Sequence, residues 1–289
     1  YGSTRSGKTH LLSTLRRQGR LIVADVEGQV TAEVPDAHTI VIPAPIRAVG
    51  ATAEQIAERL ERRNDALSDA ASREVVVWPC LTTGDLNACL AAIQSQRMGP
   101  FASLGIDSST YFGGCLIAEI CGVMVVHKKV GGVEEEAIDP VMVALPDFSG
   151  QQVRRSMEMK DWQRYAQKLS EMVTGALSTT RRLGMHLCVT ALEEKRDIYE
   201  GEGQAKRFVR VAQGPLLQGR VSAIDIPPRF MYYLRTTMRQ LDSGVEYAAQ
   251  TQTVNGWPAG VRGKASSVWD QYEKNPNLDK MLRRLGALA

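Results

Sequence analysis

A mainly parallel β-sheet flanked by helices is the architecture this sequence predicts, and three observations carry the expectation. Short apolar runs alternate with helical segments from the start of the chain to about residue 191, the pattern of strands inside and helices outside. Two of those runs, Leu21–Ala24 and Ala102–Ile106, are each followed at once by an aspartate, Asp25 and Asp107. A glycine-bearing turn, Gly2 to Gly7, opens directly into an apolar helix.

Taken in order, Thr9 to Arg17 reads as a helix with Leu11, Leu12 and Leu15 on one side. Leu21–Ala24 is a continuous apolar run that suits a buried parallel strand, and Thr39–Ile42 is another. Thr52 and Gln55 form a capping box that opens a helix through about residue 68, with Ile56, Leu60 and Leu67 facing inward. Val75–Trp78 is a strand, and Asp85–Gln96 is a helix with Leu86, Leu90 and Ile93 at helical spacing. Residues 131–150 carry glycine, proline and several acids and read as an irregular insertion. Asp161–Thr180 is an amphipathic helix with Trp162, Tyr165, Leu169, Met172 and Leu177 inward, and Met185–Ala191 is a further buried strand. Residues 193–214 are polar and of mixed charge, and read as a long exposed loop. Phe230–Met238 and Val245–Val254, split by Asp242-Ser243-Gly244, read as a C-terminal β-hairpin, and residues 268–285 as a basic, partly helical tail.

The 289 residues, 44% hydrophobic and 23% charged, can bury a substantial core without staples. One domain over residues 1–265 and a helical tail over 266–289 are expected. A net charge of +3 excludes a basic coat over the whole surface and leaves room for a local patch. None of the five cysteines forms a CxxC pair and the four histidines are scattered, which argues against a zinc site or a disulfide framework. No apolar run reaches the ~18 residues of a membrane span, so no membrane partner and a cytoplasmic location are expected.

Chemistry concentrates in three places. Gly2-Ser3-Thr4-Arg5-Ser6-Gly7-Lys8-Thr9, with His10 next, fits G-x-x-x-x-G-K-[ST], the phosphate-binding P-loop. Its glycines let backbone N–H groups line a bowl around phosphates, Lys8 reaches the β- and γ-phosphates, and Thr9 offers a hydroxyl to Mg²⁺. Such a loop is fed by a strand, so a strand upstream of residue 1 is expected. Leu104-Gly-Ile106-Asp107-Ser108-Ser109 delivers a carboxylate to the strand's end, where it can hold the magnesium shell. Asp25-Val-Glu27-Gly28 ends the strand after the P-loop helix, and Glu27 can orient and deprotonate a water.

Together these motifs resemble the RecA-like P-loop NTPase core. They are most similar to the AAA-domain nucleotide-binding proteins encoded by bacteriophages, a group that includes single-strand annealing recombinases. The Asp161-Trp162 helix opening, the strand Leu187–Ala191, Gly214–Gly219 and the hairpin followed by Arg262-Gly-Lys264 also match. The resemblance implies an ATPase with Mg²⁺ and ATP as cofactors, Glu27 as catalytic base assisted by Lys8, and Asp107 beside the metal. It implies Thr190 as a γ-phosphate sensor, and it puts residues 193–214 in the place of a DNA-contacting loop. Beside Thr190 the chain departs from the family, with Ala191-Leu192-Glu193 in place of the usual His or Gln.

Arg196, Lys206, Arg207 and Arg210 are the phosphate contacts that role would use, and Phe208 the stacking group. Glu193, Glu194, Asp197, Glu200 and Glu202 are interleaved with them, which also describes a solvated loop. Arg262 and Lys264 are candidates for a finger reaching a neighbouring subunit's γ-phosphate, which would need a homo-oligomer. Two functions remain open: an ATPase acting on single-stranded DNA in recombination or annealing, and a nucleotide-binding phage assembly or virion protein with little DNA contact.

Overall fold

The computed structural model describes residues 1–34, 36–44, 52–121, 124–128, 134–138, 151–153, 157–200, 207–217, 222, 225–241, 244–261 and 268–286. At its centre lies a five-stranded sheet in which every neighbouring pair is parallel. The glycine-bearing turn enters α1 (Lys8–Ser13), which continues as a 3-10 helix to Gln18. Then follow β1 (Leu21–Asp25), the short α2 (Val30–Glu33) and β2 (Thr39–Val41). Next come α3 (Ala53–Asp69), β3 (Val75–Pro79), α4 (Thr83–Gln94), β4 (Ser103–Asp107) and α5 (Ser109–Cys121). Strands β5 (Met124–Lys128), β6 (Glu134–Ile138) and β7 (Gln151–Val153) form a small antiparallel sheet of their own. Helix α6 (Met159–Arg182) leads back to the centre as β8 (His186–Val189). The order across the central sheet is β2-β3-β1-β4-β8.

Alternation along these strands feeds two cores. Ile22, Ala24, Val76, Trp78, Leu104 and Ile106 pack with α4, α5 and α6 on one face. Leu21, Val23, Val75 and Val77 pack with Leu12 and Leu15 on the other. A Cβ on Gly105 would stand 2.9 Å from both Leu12 methyl carbons, so this glycine lets α1 lie directly on β4.

Beyond β8 the chain forms β9 (Glu193–Glu200) and β10 (Arg207–Pro215), an antiparallel pair with an irregularity between Phe208 and Arg210. The long loop expected over 193–214 is therefore a two-stranded ribbon along its described length. Its interleaved charges hid it, since they leave no clean apolar alternation to read. Strand Glu134–Ile138 likewise corrects the irregular reading of 131–150, whose other residues except those of β6 lie outside the described ones.

The C-terminal hairpin is present as β12 (Arg235–Leu241) and β13 (Gly244–Gln250), preceded by β11 (Tyr232–Tyr233), which pairs with β14 (Gly260–Val261). Within residues 268–286, β15 (Tyr272–Lys274) adds a third strand to the hairpin. Helix α7 (Leu278–Arg284) then places Leu282 in the α1 core.

Three apolar side chains are less buried than their spacing suggests: Ile56 is 44% exposed, Leu60 52% and Trp162 37%. Long cations do part of α3's packing instead. Arg59 and Arg63 donate to Ala44 O and Pro43 O, and the Arg63 guanidinium lies 4.5 Å from the centre of the Trp78 ring. Trp162 meets the buried Tyr165 edge-on at the start of α6. No helix among the described residues is long and apolar enough to cross a membrane.

Candidate phosphate-binding site

Parallel pairing assembles the site at the carboxyl end of the sheet. Asp25 and Asp107 are register partners at the ends of β1 and β4. Thr190 follows β8, and its N–H donates to Ile106 O at 3.0 Å. Three adjacent strands thus present a carboxylate, a carboxylate and a hydroxyl at one level.

The glycine-bearing loop enters this edge between β8 and β12. Gly2 N–H donates to Ala191 O at 3.1 Å, Glu193 N–H to Gly2 O at 3.0 Å, and Thr236 N–H to Tyr1 O at 2.7 Å. A Cβ on Gly2 would stand 2.4 Å from the Thr236 carbonyl oxygen, a distance no side chain tolerates. Gly7 has φ 81°, the left-handed conformation that glycine adopts without strain. Ser6 is buried and shares a 2.6 Å hydroxyl pair with Thr236, whereas Ser3, Thr4 and Arg5 are exposed. An apolar cavity of about 320 Å³ runs beside β8, walled by Leu187, Val189, Leu217, Tyr232 and Leu282. Lys8 and Thr190 are among its lining residues.

Thr9 Oγ1 donates to Asp107 Oδ2 at 2.7 Å, and the Thr190 hydroxyl donates to Asp107 Oδ1. Asp107 is thereby fixed through both oxygens, by Thr9 at the start of α1 and by Thr190 after the strand beside it. The Lys8 ammonium folds over the loop, donating to Ser3 O at 2.7 Å and Gly2 O at 3.3 Å. Burial lowers its proton affinity, and Glu27, Asp107 and Glu193 pull it back up.

Glu27 sits on a turn built by Asp25, whose Oδ1 accepts from Glu27 N at 3.2 Å and Gly28 N at 2.8 Å. Asp25 Oδ2 accepts from Val30 N at 3.4 Å. Burial raises the pKa of Asp25 against these bonds. Burial also raises that of Glu27; the Ser108 hydrogen bond and Lys8 oppose the rise, and Asp107 and Asp25 add to it.

His10 pairs with Glu33 of α2 at 3.4 Å on an exposed surface. Arg196, Arg207, Phe208 and Arg210 lie on the β9–β10 ribbon, where the register sets Phe208 opposite Tyr199 and Arg207 opposite Glu200. Lys206, Arg262 and Lys264 lie outside the described residues. No cluster of three or more His, Cys, Asp or Glu side chains suited to a metal occurs among the described residues. Thr9 and Asp107 bring one hydroxyl and one carboxylate together there.

Sequence reading gave no role to Ser108, whose hydroxyl donates to Glu27 Oε1 at 2.6 Å. The root of the ribbon was also missed. There Arg235 pairs with Glu193 at 2.8 Å and lies 3.9 Å from the centre of the buried Trp257 ring, with Lys195 5.6 Å from the same centre. The serines after Asp107 were a visible signal for the first. Nothing local signals the second: Arg235 and Glu193 are 42 residues apart, and neither adjoins Trp257 in sequence. No protein-family model matches this chain, and no curated protein does.

Proposed function

We propose that the chain is a Mg-ATP-binding, RecA-like P-loop ATPase. The observation that carries this reading is the 2.7 Å bond from Thr9 to Asp107, which joins the glycine-bearing loop to the strand-end carboxylate beside Lys8 and Glu27. Loop N–H groups and Lys8 would receive the phosphates, and Thr9, backed by Asp107, would hold magnesium. Bound magnesium supplies charge neutralisation on the triphosphate. Glu27, with its raised proton affinity, suits a base that takes a proton from the attacking water.

Single-stranded DNA is the partner we assign, through the β9–β10 ribbon with its cations at Lys195, Arg196, Arg207 and Arg210. What supports this is the ribbon's root: Glu193 is hydrogen-bonded to Gly2 of the phosphate loop and paired with Arg235. A change in the loop on binding nucleotide would therefore reach the ribbon. The interleaved acids of the ribbon favour a second reading, a nucleotide-binding phage assembly or virion protein. ATP turnover measured with and without single-stranded DNA separates the two. The first requires Mg-dependent hydrolysis that rises with DNA, and DNA binding that weakens by a slope of about −0.7 per phosphate contacted. Hydrolysis indifferent to DNA, with no DNA binding at low salt, moves the assembly reading to first place.

A further inference from the structure

We propose that Ser108 is the positioning residue that aims the carboxylate of Glu27 at its water; the role rests on the ATPase reading above. Ser108 is fully buried, and its hydroxyl donates to Glu27 Oε1 at 2.6 Å across 81 residues of sequence. The backbone that carries this hydroxyl is held on both sides. Ser108 O accepts from Phe112 N at 3.0 Å, and Ser109 binds Thr190 O through its N–H and its hydroxyl, both at 2.9 Å. The preceding residue, Asp107, is fixed by Thr9 and Thr190.

On the opposite side, Asp25 fixes the turn that bears Glu27, which leaves only the Glu27 side chain free to swing. The Ser108 bond removes that freedom by anchoring one carboxylate oxygen. Among the described residues the other oxygen, Oε2, has no hydrogen-bond partner. In the step this orientation serves, the water's O–H bond breaks and its proton passes to Oε2. The water oxygen bonds the γ-phosphorus, and the bond from that phosphorus to the bridging oxygen breaks, leaving ADP with the electron pair. Ser108 touches neither water nor phosphate and acts through Glu27.

The bond has a second effect that a packing role would not have. Burial raises the Glu27 pKa, the Ser108 hydroxyl lowers it, and Asp107, Lys8 and Asp25 are the charges acting on it. Deleting the hydroxyl must therefore raise it further.

The test is Ser108→Ala, with kcat and KM for Mg-ATP followed across pH. The Glu27 carboxyl is also titrated by carbon NMR in the nucleotide-free protein. The expected result is a kcat about 10-fold lower, the scale of one hydrogen bond to a charged group. KM should be unchanged, and both the acid limb and the Glu27 titration should move to higher pH. Ser108→Cys, with its weak S–H donor, should fall between the two, and it decides the matter if the alanine variant melts early. Wild-type kcat with an unmoved acid limb overturns the role while leaving the ATPase reading standing. A wild type that binds Mg-ATP and does not hydrolyse it overturns both, an outcome told apart from the first by the absence of any turnover to compare.

Discussion

The two ends of the central sheet each hold a half-buried cation, and the two are held differently. At the amino end, Arg20 donates to Arg73 O at 2.9 Å, Met98 O at 2.5 Å and Pro100 O at 3.1 Å, and also to Ala70 O. Its guanidinium lies 4.5 Å from the centre of the Phe101 ring. Burial lowers its pKa. At the carboxyl end, Lys8 bonds two carbonyls of its own loop and sits among Glu27, Asp107 and Glu193. Arg20 is saturated by backbone from separate segments and closes the fold. Among the described residues Lys8 donates only to carbonyls of its own loop, so its removal opens nothing distant. On the proposed reading, structure and chemistry are separated along the strand direction.

The largest effect that sharpens this contrast is on stability. Arg20→Ala takes the side-chain donor from Arg73 O, Met98 O and Pro100 O and removes a cation–π contact, a loss of about 3 kcal/mol, read as a lowered midpoint in urea. Mg-ATP affinity of the folded fraction should be unchanged; a loss of affinity matching the loss of stability would break the separation.

Next in size is the chemical step. Glu27→Gln should keep ATP bound and slow hydrolysis by roughly 100-fold, the scale of a lost general base. Single-turnover measurement checks this, and undiminished turnover would move the base elsewhere.

The smallest effect belongs to the same variant and concerns stability. Burial raises the folded-state pKa of Glu27, so the folded protein binds its proton more tightly than the unfolded chain does. That contribution is fully present below the ordinary carboxylate pKa and is lost as pH rises through the raised value. Glu27→Gln should therefore melt slightly higher than wild type at neutral pH. The difference should vanish in acid, and a thermal scan at several pH values reads it.

The parallel sheet was legible because strands buried on both faces are continuous apolar runs, as Leu21–Ala24 and Val75–Trp78 are, and because Asp25 and Asp107 mark their ends. Capping was legible too: Thr52 and Gln55 make the reciprocal pair their spacing suggests. The ribbon of β9 and β10 was not, since its strands carry interleaved charges in place of a clean apolar alternation. Helix α3 misled for a related reason. Its Ile56 and Leu60 have helical spacing, yet Arg59 and Arg63 make the contacts with the segment before it. At the site, the glycine-bearing loop and Asp107 could be read from contiguous residues. The parts that complete it, Ser108 on Glu27 and Glu193 on Gly2, are set by which strand lies beside which. One sequence without its fold does not contain that order.

Calorimetric titration with Mg-ATP of the wild-type protein beside Lys8→Ala tests the central claim most directly. The account predicts one saturable site in the wild type and affinity at least about 100-fold weaker in Lys8→Ala, the scale of losing two charge-assisted phosphate contacts. Melting of that variant should match wild type, because among the described residues Lys8 donates only to its own loop. Equal affinities, or no heat of binding in a folded wild type, would contradict it.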